Sequence, residues 1–230
     1  SSAGNNNTTG YSNTFLGGQA GFGNTTGIAN SAVGRSALGA NTTGNANVAV
    51  GAYHIGSRNA ALAVNTTGSA NSALGVGALA ANTTASNNTA VGHSALGATT
   101  TGANNVAVGN TAGAAISTGA TNTAMGYRAM GGTGAKTGTT NVAIGADTLY
   151  VMTSGANNTA VGYDAGGNVT SGANNTFLGK SSGLSGSPGG AITTGSNEIV
   201  LGNAEITEAH IQVDWTVASD ARDKTDFTAL

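Results

Sequence analysis

A five-residue block recurs eleven times along the chain: Asn, a β-branched or small residue, Ala or Phe, a larger aliphatic, then Gly. The block glycines are Gly17, Gly34, Gly51, Gly75, Gly92, Gly109, Gly126, Gly145, Gly162 and Gly179, with a stretched final copy at Gly202. Seven of the ten intervals are 17 residues, and the others are 24, 19 and 23. A fixed short period carried by a strand-like block marks a solenoid, in which each repeat is one coil that cannot bury its apolar surface alone. The spacing predicts an all-β fold, a parallel β-solenoid (β-roll) of about eleven 17-residue coils over residues 1–202. A C-terminal strand or neck follows over 203–218, and then a short segment over 219–230.

Composition alone would also suit a flexible linker, since 39 of the 230 residues are Gly and only 7% are charged. A linker, however, has no reason to keep apolar positions in register from end to end. Charge is unevenly placed. Residues 1–197 carry Arg35, Arg58, Arg128, Lys136 and Lys180 against Asp147 and Asp164, while the other seven acidic and two basic groups follow them. That shift places a boundary near Asn197. A net charge of −2 gives no electrostatic reason to expect nucleic acid or an anionic membrane as partner. No apolar run approaches the ~20 residues of a membrane span. No signal peptide is visible and the first residue is Ser1, as expected of a fragment or a processed product. Without Cys there is neither a disulfide framework nor a thiolate site.

In the block Asn47-Val48-Ala49-Val50-Gly51, the slots of Val48 and Val50 share one face of a strand, and Ala49 points the other way. The first slot is Thr, Ser or Val in ten copies, the Val50 slot is always a larger apolar residue, and the middle slot is Ala, Phe or Val. Both faces therefore avoid polar groups. A lone coil has only one inside, so the expectation is that the small Ala face meets other copies of the chain in a homo-oligomer. A second apolar pair follows each block Gly (Ala37-Leu38, Ala61-Leu62, Ala78-Leu79, Ala95-Leu96, Ala129-Met130) and should return a side chain to the interior. Asn-Thr-Thr-Gly turns at 24–27, 41–44 and 65–68 suit tight corners, since Asn and Gly tolerate positive φ. Each block Asn, stacked on its equivalent one coil away, can form an asparagine ladder. The 24-residue interval realigns if about seven residues near 52–58 form a surface loop on an intact stack.

The blocks Asn-Ser-Ala-Val-Gly at 30–34 and Asn-Val-Ala-Ile-Gly at 141–145 resemble the head repeats of trimeric autotransporter adhesins. The resemblance covers about residues 13–202, with differing coil lengths, and similar repeats occur in phage tail fibres. It implies a homotrimer whose chains pack around one axis, and a host-surface glycan or protein as receptor. His210 to Val217 alternates as a strand and leads into Ser219-Asp220-Ala221-Arg222-Asp223-Lys224. This stretch looks like the start of the self-cleaving intramolecular chaperone domain at the ends of phage tail spikes and fibres. By that resemblance Ser219 is the nucleophile, Lys224 its general base, and Ser219–Asp220 the scissile bond, but only eleven residues follow Ser219, so the chaperone is incomplete. The phage resemblance implies a virion tail fibre, with a bacterial cell-surface or extracellular adhesin as the alternative location.

Elsewhere, Tyr53, His54 and Arg58 lie on the inserted loop, while Tyr127, Arg128 and Tyr163 lie in the variable slots just after the block Gly. Aromatic faces with nearby cations on a rigid scaffold suit receptor contact and sugar stacking. Asp147 and Asp164 should stack on neighbouring coils, a spacing compatible with glycoside cleavage as in a tailspike or with cation binding. Variability of the adjoining slots reads instead as a solvent-facing column. Ice binding by a flat Thr column is a further reading, weakened because Thr-Thr lies in turns and coils such as 112–119 lack it. His93 and His210 have no partnering His or Cys, so neither a metal nor a cofactor is expected.

Overall fold

Each block forms a strand of three residues. In chain order these are β1 (Thr14–Leu16), β2 (Ser31–Val33), β3 (Val48–Val50), β4 (Ser72–Leu74), β5 (Thr89–Val91) and β6 (Val106–Val108). There follow β7 (Thr123–Met125), β8 (Val142–Ile144), β9 (Thr159–Val161), β10 (Thr176–Leu178) and β11 (Ile199–Leu201). The computed structural model describes residues 2–52, 60–187 and 189–208. All eleven strands form one sheet in sequential order, each parallel to the next, so the chain is a β-solenoid. Register never slips: Ala49 stands beside Ala32 on one side and Ala73 on the other. The 24-residue interval leaves the stack intact, because Leu62 still donates to the Ala78 carbonyl and Leu38 to that of Ala61. The inserted loop itself, with Tyr53, His54 and Arg58, lies outside the described residues, as do His210, Ser219, Asp220 and Lys224.

The two strand faces are assigned the opposite way from the expectation above. The middle slot, expected to meet other chains, points inward: Ala32, Ala49, Ala73, Ala90, Ala107, Ala124, Ala143 and Ala160 are all buried. The larger aliphatics point out, with Leu16 66%, Leu74 50% and Leu178 46% exposed. The reason is width. A coil of 17 residues encloses little space, and the second apolar pair already fills it with Leu38, Leu62, Leu79, Leu96 and Met130, each fully buried. Only Ala fits opposite them. Where Phe177 takes the Ala slot, the facing positions become Gly166 and Gly183, and a Cβ on Gly183 would sit 2.5 Å from the Phe177 ring. Burying each Leu stabilises the fold by roughly 1.5–3 kcal/mol. That gain offsets the left-handed backbone it demands, φ 50° at Leu62, Leu79 and Leu96.

The block asparagines form the ladder the sequence suggests. Asn105 donates from its backbone N to Asn88 Oδ1 at 2.9 Å and from Nδ2 to the same oxygen at 3.2 Å. Its Nδ2 also donates to the Gly119 carbonyl at 2.9 Å. Its own Oδ1 accepts from the backbone N and the Nδ2 of Asn122. The pattern runs from Asn13 to Asn175, where Glu198 N makes the last donation. A second, shorter ladder occupies the turns. Asn24, Asn41, Asn65 and Asn82 each donate Nδ2 to the preceding turn Asn and to the carbonyl three residues on. These asparagines are not at positive φ; that conformation falls on the residue before the block, such as Ala46, Ala70 and Asn104. The block glycines permit the stacking, since a Cβ on Gly109 would lie 2.6 Å from the Gly126 carbonyl oxygen.

Replacing Asn105 by Ala strands the buried Gly119 carbonyl and the Asn122 backbone N–H and leaves Asn88 Oδ1 only the Asn105 backbone N–H, so the denaturation midpoint should fall by the equivalent of about 2 kcal/mol or more. Asn105→Asp should cost more, because carboxylate oxygens then face those acceptors. Circular dichroism during urea unfolding checks both.

Candidate functional site

The corner after each strand presents two adjacent columns. The first holds the residue after the block Gly, including Arg35, His93, Asn110, Tyr127, Tyr163 and Lys180, all exposed, with Ala146 half-buried. The second holds the next residue, in the left-handed conformation at Arg128 (φ 55°), Asp147 (φ 58°) and Asp164 (φ 55°). Its amides tie the columns together: Asp147 N donates to the Tyr127 carbonyl, Asp164 N to that of Ala146, and Ser181 N to that of Tyr163. The side chains are therefore held on a hydrogen-bonded backbone.

Along three successive coils the second column reads Arg128, Asp147, Asp164. Arg128 Nε lies 2.8 Å from Asp147 Oδ1. The two atoms are out of line for a hydrogen bond, so the contact is an ion pair. The guanidinium also lies near two aromatic rings, 4.4 Å from the Tyr150 ring centroid and 5.3 Å from that of Tyr127. Partial burial, and then the charge of Asp147, push the Asp164 carboxyl above its ordinary value. Tyr127 and Tyr163 stand out at 52% and 55% exposed. Further along, Lys180 pairs with Glu205 at 3.1 Å, both well exposed. The structure thus brings Tyr127, Arg128 and Tyr163 onto one strip with Asp147 and Asp164. Among the described residues, no three His, Asp or Glu side chains gather as a metal site would need.

Two contributors were not read from the sequence. Tyr150 clamps Arg128 from the neighbouring coil, at a distance in sequence that no local pattern signals. Lys136 is fully buried, in register with Ile116, and donates Nζ to the carbonyls of Tyr150 (2.8 Å) and Met152. The 19-residue interval hides this position, because the insertion at 131–135 blurs the alignment of the interior column. That column runs from Asn82 through Thr99 and Ile116 to Met152, Val169 and Ile192. The turn ladder stops at Asn82, whose Oδ1 is buried without a partner, because Thr99 Oγ1 donates instead to the Ile116 carbonyl.

Searches of family models, of curated proteins and of solved structures find no match to this chain.

Desolvation lowers the Lys136 ammonium from 10.5 to about 8. Between those values the unfolded chain holds a proton that the folded chain has released, so stability should rise with pH from about 8 to about 10.5 and be insensitive to this group below 8. Lys136→Met, matching its neighbours Ile116 and Met152, should flatten that alkaline rise. Thermal melts of both proteins across pH 7–11 provide the comparison.

Proposed function

We propose that the chain is a structural and host-receptor-binding part of a trimeric phage tail fibre or similar adhesive appendage. It acts through reach, rigidity and repeated weak contacts multiplied by symmetry. One observation carries the reading: an unbroken aliphatic column runs along the outward strand face, beside a column of Thr, Ser and Val. Leu16, Val33, Val48, Leu74, Val106, Met125, Ile144, Leu178 and Leu201 all lie exposed on it. Monomers rarely expose contiguous apolar patches above a few hundred Å². One full column, widened at Val48, Val106 and Ile199 and about 50 Å long at strand spacing, this stripe approaches that size. Further copies of the same chain fit it best, since their stripes repeat with the same period and match coil for coil. The face expected to meet other chains has changed, but the reason to expect them has not. A bacterial cell-surface adhesin head would use the stripe in the same way and differ in how it is anchored.

Cleavage of sugars is disfavoured by the pairing of Asp147 with Arg128, which occupies one of the two carboxylates. Ice binding is disfavoured because the first hydroxyl of each Thr-Thr turn is engaged: Thr25 Oγ1 donates to the Thr42 carbonyl, and Thr66 Oγ1 to that of Thr83. The chaperone junction at Ser219 and Asp220, with Lys224, remains part of the proposal and rests on resemblance alone.

Light scattering after size exclusion should give three times the chain mass of 21.9 kDa. Leu74→Glu combined with Ile144→Glu, on the stripe, should yield smaller species, whereas Ala98→Glu, exposed on another face, should not. A folded monomer for the unaltered chain would falsify the self-association. In a longer product that carries the rest of the chaperone, Ser219→Ala should leave an uncleaved chain on a denaturing gel, and normal cleavage would remove Ser219 from the nucleophile's role.

A further inference from the structure

We propose that the corner strip bearing Tyr127, Ala146 and Tyr163 binds an uncharged oligosaccharide laid along the solenoid axis. The inference rests on the adhesive reading above and names the ligand class of that surface. Tyr127 and Tyr163 occupy the same column two coils apart, about 10 Å at strand spacing, and are exposed. Ala146 lies between them in the same column, so no third bulky side chain stands between the two rings. A pyranose has a C–H face that packs on an aromatic ring and an edge of hydroxyls that each need a donor or an acceptor. The strip provides both along one line. The rings form one column, and the polar groups of Arg128, Asp147 and Asp164 form the column beside it. Arg128 is held in place by its contacts with the Tyr127 and Tyr150 rings and by its ion pair, so its remaining N–H groups are already oriented. Asp164 is half-buried beside Asp147 and gains from a hydroxyl donor.

Other ligand classes fit less well. An extended peptide adding as a strand needs free main-chain groups, and here the corner amides are engaged between coils. A quaternary ammonium needs rings converging on one point, and these rings stand two coils apart. Nucleic acid needs a net positive track. Within the strip and its flank, Arg128 and Lys180 face Asp147, Asp164 and Glu205, which leaves an excess of one negative charge. The same excess disfavours sialylated or uronic-acid glycans, so the ligand is a neutral hexose or N-acetylhexosamine chain of at least three units, enough to reach from one ring to the other.

The test uses the intact chain in its native assembly and a panel of neutral and acidic tri- to hexasaccharides, read by a glycan array and then by calorimetry. Neutral members should bind, and Tyr127→Ala or Tyr163→Ala should each weaken binding by about tenfold or more. Tyr163→Phe should retain it, and His93→Ala, in the same column but off the strip, should leave it unchanged. Each variant should keep the circular dichroism spectrum and assembly state of the parent, because these side chains lie on the surface. Binding confined to acidic glycans, binding indifferent to both tyrosines, or no binding at millimolar sugar would each overturn the proposal. If the assembly stays trimeric and still adheres to host cells after both Tyr→Ala changes, the strip is wrong while the adhesive reading stands. If no assembly forms and no adhesion occurs, that reading has failed as well.

Discussion

The asparagine ladder is the interaction on which the rest of the structure depends, because it solves the problem a narrow coil creates. A 17-residue turn must bend sharply at each corner, and each bend leaves amides and carbonyls inside with no water to meet them. Every block Asn answers several of these at once. It takes a carbonyl from the next turn, as Asn105 does with Gly119, and lends its own oxygen to the following backbone N. The carboxamides all point the same way along the axis, so each polarises the next and the chain of bonds gains cooperatively. The cost of a break is correspondingly local and high, since a gap strands polar groups on both sides.

Once the ladder fixes coil against coil, the interior volume is set, and that decides which side chains face in. Ala on the strand and Leu on the opposite wall fill the coil. The same volume is filled differently at β1 and β10, where Phe15 and Phe177 replace Ala and glycines replace Leu. The larger aliphatics then have nowhere to go but outward. The exposed stripe is therefore a consequence of a narrow coil and an apolar strand, and an assembly of copies is the simplest way to cover it.

Much of the fold could be read in advance. The block, its period, the second apolar pair, the loop that leaves the stack intact and the ladder of block asparagines all follow from residue spacing. The direction of the strand faces did not, because alternation tells which residues share a face and is silent on which face is inside when both are apolar. The compensation of Phe177 by Gly166 and Gly183 held that information and went unread. Asn in the turns was read as a positive-φ residue, whereas burial makes it a second ladder. At the corner strip, the exposed column was legible from its variability between copies. The clamp of Tyr150 on Arg128 and the burial of Lys136 were not, since both depend on contacts across coils of unequal length.

Side-chain hydrogen exchange measured by NMR addresses the ladder most directly. If the carboxamides of Asn105, Asn122 and Asn141 bridge successive coils, their Nδ2 protons should exchange orders of magnitude more slowly than those of exposed Asn110. Exchange at the rate of a free surface carboxamide would contradict the ladder, and with it the narrow coil and the outward stripe that depend on it.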